Sequence, residues 1–394
     1  MKRIVVVGNG IAGLTAAESV RDAGFDGELT IIGDEAHAPY TRPALSKAAL
    51  LDDDPAVLRL PESTHGATEM LGIRVEHVDT GRRVLRLGDG DGDDVPYDGL
   101  VIASGSRARH LLPAPAERES AAEESGELTL RSLDDMIRVR RRLHDRPSVV
   151  VVGGGPLGME IASGAIAAGC PVTLVANGTP LHRHLGTYLA DLLVGAAREH
   201  GVVVRTEGCA GARRGSTGPE VVLHDGTIVA ADVLVSAIGD LPNLEWLEGS
   251  HLLTGGQLIV DSRGRVIADD RARPDIVAAG DIATFPTAIG PRRVPLWTSA
   301  IDQAKVAGPA LVRGDEAPAL DFRPYFWTEQ FGLHLRAAGE LPPDGRPEVV
   351  DGDPQTRSAL LRWARPDAGT AAALNFRYPI PRLRRLAQAQ PAPA

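Results

Sequence analysis

Two glycine-rich segments have the residue types and spacing that seat a dinucleotide. Residues 4–17, IVVVGNGIAGLTAA, and residues 149–162, VVVVGGGPLGMEIA, each run from an apolar strand pattern through a glycine-rich turn into a helix pattern. Glycines in such a turn let backbone N–H groups at a helix N-terminus approach a pyrophosphate. Two such motifs in one chain predict two dinucleotide-binding sites. The candidate binding residues are Gly8, Gly10, Ala12 and Gly13 in the first segment and Gly153, Gly155, Pro156, Leu157 and Gly158 in the second.

Acidic residues follow the next strand of the first segment. The strand pattern ELTIIG, residues 28–33, leads directly into Asp34 and Glu35. About 20 residues beyond a glycine turn, carboxylates can accept hydrogen bonds from an adenosine ribose. A solvated strand end is the alternative explanation for this pair.

The corresponding position of the second segment is not acidic. After the strand pattern VTLV, residues 172–175, comes Ala176, which can neither bind a ribose hydroxyl nor repel a 2′-phosphate. Arg183, with His182 and His184 beside it, is the basic candidate for contact with a 2′-phosphate. We therefore expect this site to discriminate weakly between dinucleotides with and without a 2′-phosphate, and to accept the 2′-phosphorylated form at least as well as the other.

A third segment and an internal repeat extend the pattern. Residues 274–283, PDIVAAGDIA, form a short apolar strand pattern that ends at Asp281, where a carboxylate can bond a sugar-alcohol hydroxyl. Residues 98–105 match residues 232–239, with Ala103 and Gly105 in the first copy and Gly239 in the second. The chain therefore contains a duplicated mononucleotide-binding fold.

The elements that must position these residues define an α/β fold. We predict two Rossmann-like dinucleotide-binding domains and a C-terminal α+β interface domain. Their predicted limits are 1–112 and 242–321 for a discontinuous first dinucleotide-binding domain, 113–241 for the second dinucleotide-binding domain, and 322–394 for the C-terminal domain with a disordered tail. A polar linker is expected at 113–127, and a hairpin turn rather than a calcium loop is expected at DGDGDD, residues 89–94. Residues 224–226 predict a second hairpin turn. The segment 295–308 predicts a helix capped by Thr298 or Ser299.

Composition excludes several classes of protein. The chain has 394 residues and a formal net charge of −10, which argues against binding to nucleic acid or to an anionic membrane. It has no run of about 18 apolar residues and no leader pattern, so we expect a cytoplasmic protein. Two cysteines without close spacing offer neither a zinc cluster nor a redox pair, and no metal site is expected.

The combined motifs resemble those of the flavoprotein ferredoxin and rubredoxin reductases related to putidaredoxin reductase. The resemblance covers nearly the whole chain and includes GDEAHAPYTRPALSK, IGDLPNLEWL, AAGDIA and PYFWTEQ, besides the two glycine motifs. It implies that the first fold holds FAD, that the second holds NADH or NADPH, and that the C-terminal region forms a third domain.

The resemblance also implies roles for individual residues. Arg42 would contact the phosphate or adenine side of FAD, and Asp281 would bind its ribityl chain. Lys47 would lie near the flavin ring and form an ion pair with Glu160. The alternative interpretation of Glu160 is an ordinary exposed glutamate on a helix. Trp297 and Trp327 would flank the flavin pocket, although core or interface tryptophans without a redox role are an equal alternative.

The function implied is that of an FAD-dependent NAD(P)H:ferredoxin-type oxidoreductase. Hydride would pass to the flavin, and single electrons would pass to a [2Fe–2S] ferredoxin or rubredoxin-like iron–sulfur carrier that serves a cytochrome P450 or other oxygenase. The alternatives are a flavoprotein reductase or oxidase acting directly on a small molecule or oxygen, and a flavin-bound module without catalysis. The protein would be a monomer or homodimer.

Overall fold

The structure, a computed structural model, describes residues 1–52, 54–88, 94–112, 126–216, 218–365 and 369–388. The described chain forms two compact units. The first comprises Met1–Thr41, Arg59–Arg107 and Leu241–Phe322, and the second comprises the described parts of Arg42–Leu58, Ala108–Asp240 and Arg323–Ala394. The division into three domains stays a prediction, and the predicted linker at 113–127 lies almost wholly outside the described residues.

Helices and strands alternate along much of the described chain. The described α-helices are α1 (Ile11–Asp22), α2 (Ala48–Leu51), α3 (Leu133–Leu143), α4 (Pro156–Ala167), α5 (His182–Glu199), α6 (Trp297–Arg313) and α7 (Ile380–Gln388). The described strands are β1 (Arg3–Val7), β2 (Glu28–Gly33), β3 (Thr68–Leu71), β4 (Val75–Asp79), β5 (Val84–Leu87), β6 (Val95–Pro96), β7 (Gly99–Ile102), β8 (Ser106–Ala108), β9 (Glu127–Leu128), β10 (Val149–Val152), β11 (Val172–Val175), β12 (Val203–Arg205), β13 (Cys209–Arg214), β14 (Pro219–Leu223), β15 (Ile228–Ala230), β16 (Val233–Ser236), β17 (Asp240–Pro242), β18 (Leu258–Ile259), β19 (Arg265–Ala268), β20 (Arg271–Ala278), β21 (Ala283–Thr284), β22 (Tyr325–Gln330), β23 (Leu333–Gly339), β24 (Glu348–Asp353), β25 (Ser358–Trp363) and β26 (Thr370–Leu374).

The first unit is built on a six-stranded sheet in the order β19-β20-β7-β1-β2-β3. Its strands are parallel except for β19, which pairs antiparallel with β20. The apolar run of β1 is buried, as expected of a strand covered on both faces of a parallel sheet. Helices α1 and α6 pack closely because Gly308 lacks a side chain: a Cβ there would lie 2.8 Å from the Cβ of Ser19. The chain reverses its strand order at β1, which is where such sheets bind ligands.

The second unit repeats this arrangement in a five-stranded sheet, β12-β11-β10-β16-β9, whose strands are all parallel. The repeat extends to hydrogen bonds at the start of the central strands. Asp98 accepts the backbone N–H groups of Lys2 and Arg3 at 2.8 and 2.9 Å, and Asp232 accepts that of Ser148 at 2.8 Å. The predicted duplication of an α/β nucleotide-binding fold is confirmed by the sheets and by these contacts.

A separate antiparallel sheet, β22-β23-β26-β25-β24, follows within the second unit. Helix α7 covers one part of it, where Leu383 and Ala387 join a cluster that includes Tyr325. Ala387 and Gln388, the first residues of the predicted disordered tail, lie in this helix. The rest of that tail, residues 389–394, lies outside the described residues.

Local predictions about turns and caps had mixed outcomes. The hairpin turn at 224–226 is confirmed, since β14 and β15 pair antiparallel on either side of it. The turn predicted at 89–94 lies almost wholly outside the described residues. The predicted cap of the helix at Thr298 or Ser299 is wrong: α6 begins at Trp297, and Leu296 is the cap residue. Leu296 has an extended backbone, and its carbonyl already accepts the helical N–H of Ala300 at 2.9 Å.

Candidate active site

The first glycine turn has one open position and two crowded ones. A Cβ on Gly8, where φ is +114°, would lie 2.1 Å from the carbonyl oxygen of Ala103, and one on Gly13 would lie 1.8 Å from that of Gly8. Around Gly10, by contrast, a Cβ would meet no atom within 4 Å. Because they lack a side chain, Gly8 and Gly13 allow the close backbone packing of the turn. Gly10 leaves space in front of the N-terminus of α1, which an approaching anion requires.

The two acidic residues after β2 have different surroundings. Asp34 is exposed, with its carboxylate 3.8 Å from the guanidinium of Arg74. Glu35 is half-buried, and it accepts a hydrogen bond from the hydroxyl of Tyr40 at 2.5 Å. Because its carboxylate is oriented by this bond, Glu35 is the better candidate for the ribose. Sequence reasoning missed Tyr40, although the residue lies in a motif that carried the family resemblance.

The strand end that carries Asp281 lies against the first turn of α1. Gly280 has a φ of +84°, and a Cβ on it would lie 2.8 Å from the Cβ of Ala12. Its backbone N–H donates to the side chain of Gln303 in α6 at 2.8 Å. The start of α1, the end of β20 and helix α6, which begins at Trp297, therefore meet within the first unit. Gly105 follows the adjacent strand β7 in a left-handed conformation, with φ of +65°.

The second glycine turn repeats the crowding pattern of the first. A Cβ on Gly153, where φ is +128°, would lie 2.1 Å from the carbonyl oxygen of Ala237, and one on Gly158 would lie 1.9 Å from that of Gly153. At Gly155 the nearest atom would be Cε1 of His184, at an ordinary contact distance of 3.6 Å. Pro156 and Leu157 then begin α4, and Gly239 follows β16 with a φ of +104°.

The chain after β11 packs onto this second turn. The backbone N–H of Leu181 donates to the carbonyl of Gly154 at 2.7 Å, and the Cβ of Ala176 lies 2.6 Å from where a Cβ on Gly154 would be. This brings the ring of His184 to Gly155, whereas sequence reasoning had emphasised the exposed Arg183. Partial desolvation, followed by the charge of Arg183, lowers the pKa of His184. The neutral form of the imidazole is thereby favoured.

The predicted ion pair between Lys47 and Glu160 is confirmed, with Nζ 2.8 Å from Oε2. Both side chains are largely buried, with 14% and 7% of their surface exposed. The carboxylate also accepts hydrogen bonds from the hydroxyls of Ser46 and Thr328, the latter at 2.7 Å. Ser46 and Thr328 were missed by sequence reasoning, because residues 114 and 168 positions from Glu160 carry no local signal of contact.

Helix packing within the second unit brings the members of this pair together. The side chain of Leu50, in α2, lies 2.6 Å from where a Cβ on Gly164 of α4 would be. Only glycine at position 164 allows α2 to pack this closely against α4, one turn beyond Glu160. Lys47 immediately precedes α2, so this contact sets the approach of its ammonium group to the carboxylate.

The remaining predicted residues also have defined places in the second unit. Arg42 donates to the backbone carbonyl of Arg131 at 2.7 Å. Trp327, in β22, stacks on Tyr325 with ring centroids 6.1 Å apart. The roles predicted for them toward FAD stay predictions.

Both cysteines are free thiols. Cys170 is buried and Cys209 half-buried. Burial raises the pKa of each thiol, so both are protonated at neutral pH. Neither residue therefore offers a thiolate or a disulfide for electron transfer.

Two glycine turns at the carboxyl ends of parallel strands define a protein of tandem dinucleotide-binding folds. The family model described as pyridine nucleotide-disulphide oxidoreductase matches residues 2–304, and the chain belongs to this family. In the part of the chain that the structure describes, helices both long and apolar enough to cross a membrane are absent.

Named relatives agree with the resemblance seen in the sequence. The chain is 32% identical over 365 residues to the benzene 1,2-dioxygenase system ferredoxin–NAD(+) reductase subunit of Pseudomonas putida, covering 91% of this chain and 85% of the relative. It is 32% identical over 348 residues to a rubredoxin–NAD(+) reductase of Pseudomonas putida, covering 86% of each. The crystal structure of the covalent putidaredoxin reductase–putidaredoxin complex is similar, with a TM-score of 0.85 and 26% identity over 98% of this chain and 92% of that chain. The predicted family resemblance is confirmed.

Proposed function

We propose that this protein is an FAD-dependent NAD(P)H:ferredoxin-type oxidoreductase. It takes hydride from NADH or NADPH and delivers single electrons to a [2Fe–2S] ferredoxin or a rubredoxin-like carrier, which serves an oxygenase. The names of the relatives support this assignment, because they are ferredoxin and rubredoxin reductases, and several belong to dioxygenase systems. We also propose that the protein is cytoplasmic and is a monomer or a homodimer.

The residues of the first unit fit FAD. The space at Gly10 and the N-terminus of α1 suit a pyrophosphate, and the carboxylate of Glu35 suits an adenosine ribose. A pyrophosphate and a ribose acceptor together favour FAD over a flavin mononucleotide. Asp281 would hold the ribityl chain, and Trp297 and the N-terminus of α6 would lie on the flavin side. When bound, the flavin accepts a pair of electrons as hydride and releases them one at a time.

The second glycine turn would bind the nicotinamide nucleotide. Gly155 and the N-terminus of α4 suit its pyrophosphate, with His184 alongside. Ala176 cannot accept bonds from a ribose, so the residue at this position supplies no carboxylate that would exclude NADPH. We infer that both nucleotides are accepted. Arg183, in the segment that follows Ala176, is the arginine that would contact the 2′-phosphate of NADPH.

Lys47 and Glu160 would support hydride transfer, as the family resemblance implies. A buried ammonium group without a partner would be costly, and Glu160 removes that cost while holding the amine in one position. The chain thereby supplies position and charge, and the redox chemistry belongs to the flavin.

The observation that carries the proposal is the combination of two intact glycine turns with two protonated, unpaired thiols. A family member that passed electrons to a disulfide would need a pair of cysteines close enough to bond. This chain has only Cys170 and Cys209, both buried or half-buried and free. Electrons therefore leave the flavin directly, which suits a one-electron carrier.

Anaerobic stopped-flow reduction tests the proposal. We expect the purified protein to be yellow, to release FAD on denaturation, and to be reduced by NADH and NADPH mixed separately with it. Adding ferredoxins should then accelerate reoxidation and the reduction of cytochrome c well above the rates without carrier. Rates that do not depend on any ferredoxin or rubredoxin would favour direct reduction of a small molecule or oxygen, and failure of both nucleotides to reduce the flavin would indicate a non-catalytic module.

A further inference from the structure

The ion pair of Lys47 and Glu160 is held by a chain of side chains that reaches into the C-terminal sheet. Thr328 and Gln330 lie two positions apart on β22, so they face the same side of that strand. Thr328 is fully buried, and Gln330 is 3% exposed. The Oγ1 of Thr328 is 2.7 Å from Oε1 of Glu160 and 2.9 Å from Nε2 of Gln330.

The direction of these bonds follows from what each group can donate. The Nε2 of Gln330 is a donor only, so it donates to the oxygen of Thr328. The hydroxyl hydrogen of Thr328 is then free to donate only to the carboxylate of Glu160. Gln330 thus orients the hydroxyl, and the hydroxyl fixes Oε1.

The other carboxylate oxygen is occupied independently. Oε2 of Glu160 accepts from Nζ of Lys47 at 2.8 Å and from the hydroxyl of Ser46. Both oxygens therefore have donors, and rotation of the carboxylate would break bonds on both sides. With the side chain of Glu160 only 7% exposed, water cannot easily replace a lost donor.

Lys47 can be followed separately from the other amines of the chain. The chain has 42 lysines and arginines, and only Lys2, Lys47 and Lys305 are lysines. Lys2 and Lys305 are exposed, whereas Lys47 belongs to the largely buried ion pair. The accessibility and reactivity of its amine therefore report how firmly the carboxylate of Glu160 is held against it.

We propose that Thr328, oriented by Gln330, is a positioning residue that holds the Glu160 carboxylate onto Lys47, so that the C-terminal sheet sets the reactivity of the Lys47 amine. Removing the hydroxyl leaves Oε1 without its donor and allows the carboxylate to turn away from Nζ. Any effect on flavin reduction rests on the proposed function, but the effect on the amine does not.

Trace acylation measures the amine directly. The protein as purified is treated with a small amount of acetic anhydride, and mass spectrometry gives the labelling of Lys47 relative to Lys2 and Lys305 in the same sample. We expect Thr328→Val to raise the relative labelling of Lys47 about threefold or more, in line with the loss of one buried hydrogen bond. Thr328→Ser keeps a hydroxyl and should restore the original value.

A matched control breaks a different bond between the same two elements. The hydroxyl of Ser163, in α4, accepts the backbone N–H of Phe331, just beyond β22, at 2.7 Å. Ser163→Ala therefore loosens α4 from β22 without touching Glu160, and it should leave the labelling of Lys47 unchanged. Equal labelling in Thr328→Val and Ser163→Ala would overturn the proposal. If Thr328→Val does not fold, the variant Gln330→Leu tests the proposal instead. It removes the donor that orients the Thr328 hydroxyl, so the hydroxyl can rotate away from Glu160 and the labelling of Lys47 should again rise.

Stopped-flow reduction by NADH separates this proposal from the proposed function. If both hold, Thr328→Val slows flavin reduction and shifts its pH profile while KM for NADH stays the same. Raised labelling with an unchanged reduction rate supports the positioning role and overturns the role of the pair in hydride transfer. Unchanged labelling overturns the positioning role whatever the reduction rate.

Discussion

At the scale of single residues, the structure separates side chains that bind from side chains that hold others in place. Glu35 is oriented by Tyr40, and Glu160 by Ser46 and Thr328. A buried or half-buried carboxylate with fixed partners has one orientation, which a binding or catalytic group requires. Each carboxylate is oriented by side-chain hydroxyl groups. Those that orient Glu160 come from distant segments of the chain, and the one that orients Glu35 comes from a residue five positions away.

Removal of one member of the buried ion pair should be more damaging than removal of both. Glu160→Leu leaves the largely buried ammonium of Lys47 without its carboxylate partner and with only the carbonyl of Pro43 as acceptor, so we expect a loss of about 3 kcal/mol in unfolding free energy. The double variant Lys47→Met with Glu160→Leu replaces both charges by apolar groups and should recover most of that loss. Urea unfolding followed by circular dichroism gives the comparison. A double variant less stable than Glu160→Leu would contradict the expectation.

Ala176→Glu should shift nucleotide preference toward NADH. A carboxylate at this strand end can accept bonds from the ribose hydroxyls and repel a 2′-phosphate. We expect the ratio of kcat/KM for NADH over NADPH to rise at least about tenfold, which corresponds to about 1.4 kcal/mol. Ala176→Gln is the matched control, because it adds similar volume without charge. In the unmodified protein, a preference for NADH above about tenfold would mean that another group reads the ribose.

At the scale of elements, each glycine turn combines positions required for packing with one required for a ligand. A Cβ on the first or last glycine of either turn would collide with a backbone carbonyl, whereas one on Gly10 would meet open space and one on Gly155 only an ordinary contact. The same division in two separate folds indicates that the two roles follow from the strand–turn–helix geometry itself.

Two alanine substitutions in the second turn distinguish these roles. Gly155→Ala should fold normally, since its methyl group would meet only His184 at 3.6 Å, but it should raise KM for NADH about tenfold or more by filling the space of the pyrophosphate. Gly158→Ala would place a methyl group 1.9 Å from the carbonyl of Gly153 and should lower the melting temperature by several degrees. Alanine normally stabilises a helix interior relative to glycine by about 1 kcal/mol, so a destabilising result is diagnostic of crowding. Thermal melts and steady-state kinetics provide both readouts.

The start of β1 should lose stability in acid through Asp98. Hydrogen bonds from the backbone N–H groups of Lys2 and Arg3 lower the pKa of Asp98 from 3.8 to about 2. The folded state therefore favours the ionised form, and its stabilising effect is present above about pH 4 and lost as the pH falls toward 2. Asp98→Asn should lower the melting temperature at pH 6, and the difference from the unmodified protein should shrink by pH 3. The exposed Asp26→Asn serves as control, and a gap that widens in acid would refute the assignment.

At the scale of the whole molecule, the charge distribution bears on the carrier. The net charge is −10, yet Arg377, Arg382 and Arg385 are exposed in and just before α7. A local positive patch on an acidic protein can steer and orient an acidic partner without attracting nucleic acid. Such steering acts on charged partners and leaves reactions with uncharged small molecules unchanged.

Charge reversal on α7 should therefore impair only the reaction with the carrier. We expect Arg382→Glu with Arg385→Glu to lower the rate of ferredoxin-dependent cytochrome c reduction about tenfold at low ionic strength, and less at higher salt. Reduction of an uncharged quinone by NADH should not change. Equal losses with the quinone and with ferredoxin would point to damage in the flavin reaction instead, and no loss with either would exclude α7 from carrier binding.

The sequence by itself determined the features that depend on near neighbours. The two glycine turns, the hairpin at 224–226 and the duplicated Asp98 and Asp232 segments are local patterns, because strand, turn and helix geometry is set within about 15 residues. The family resemblance added the pairing of Lys47 with Glu160, which no local rule contains. The error at Thr298 and Ser299 arose because the polar-cap rule considers only side-chain type, whereas α6 begins directly after Leu296, an extended residue that makes no side-chain cap bond.

Only the tertiary structure decided which distant side chains complete the site. Thr328 reaches Glu160 across 168 positions and Ser46 across 114, because α2, α4 and β22 pack together around small residues such as Gly164. The close approach of His184 to Gly155 likewise depends on the bond from Leu181 to Gly154. Hydrogen bonds of this kind are set by the packing of whole elements, and the sequence pattern of one element does not encode the register of another.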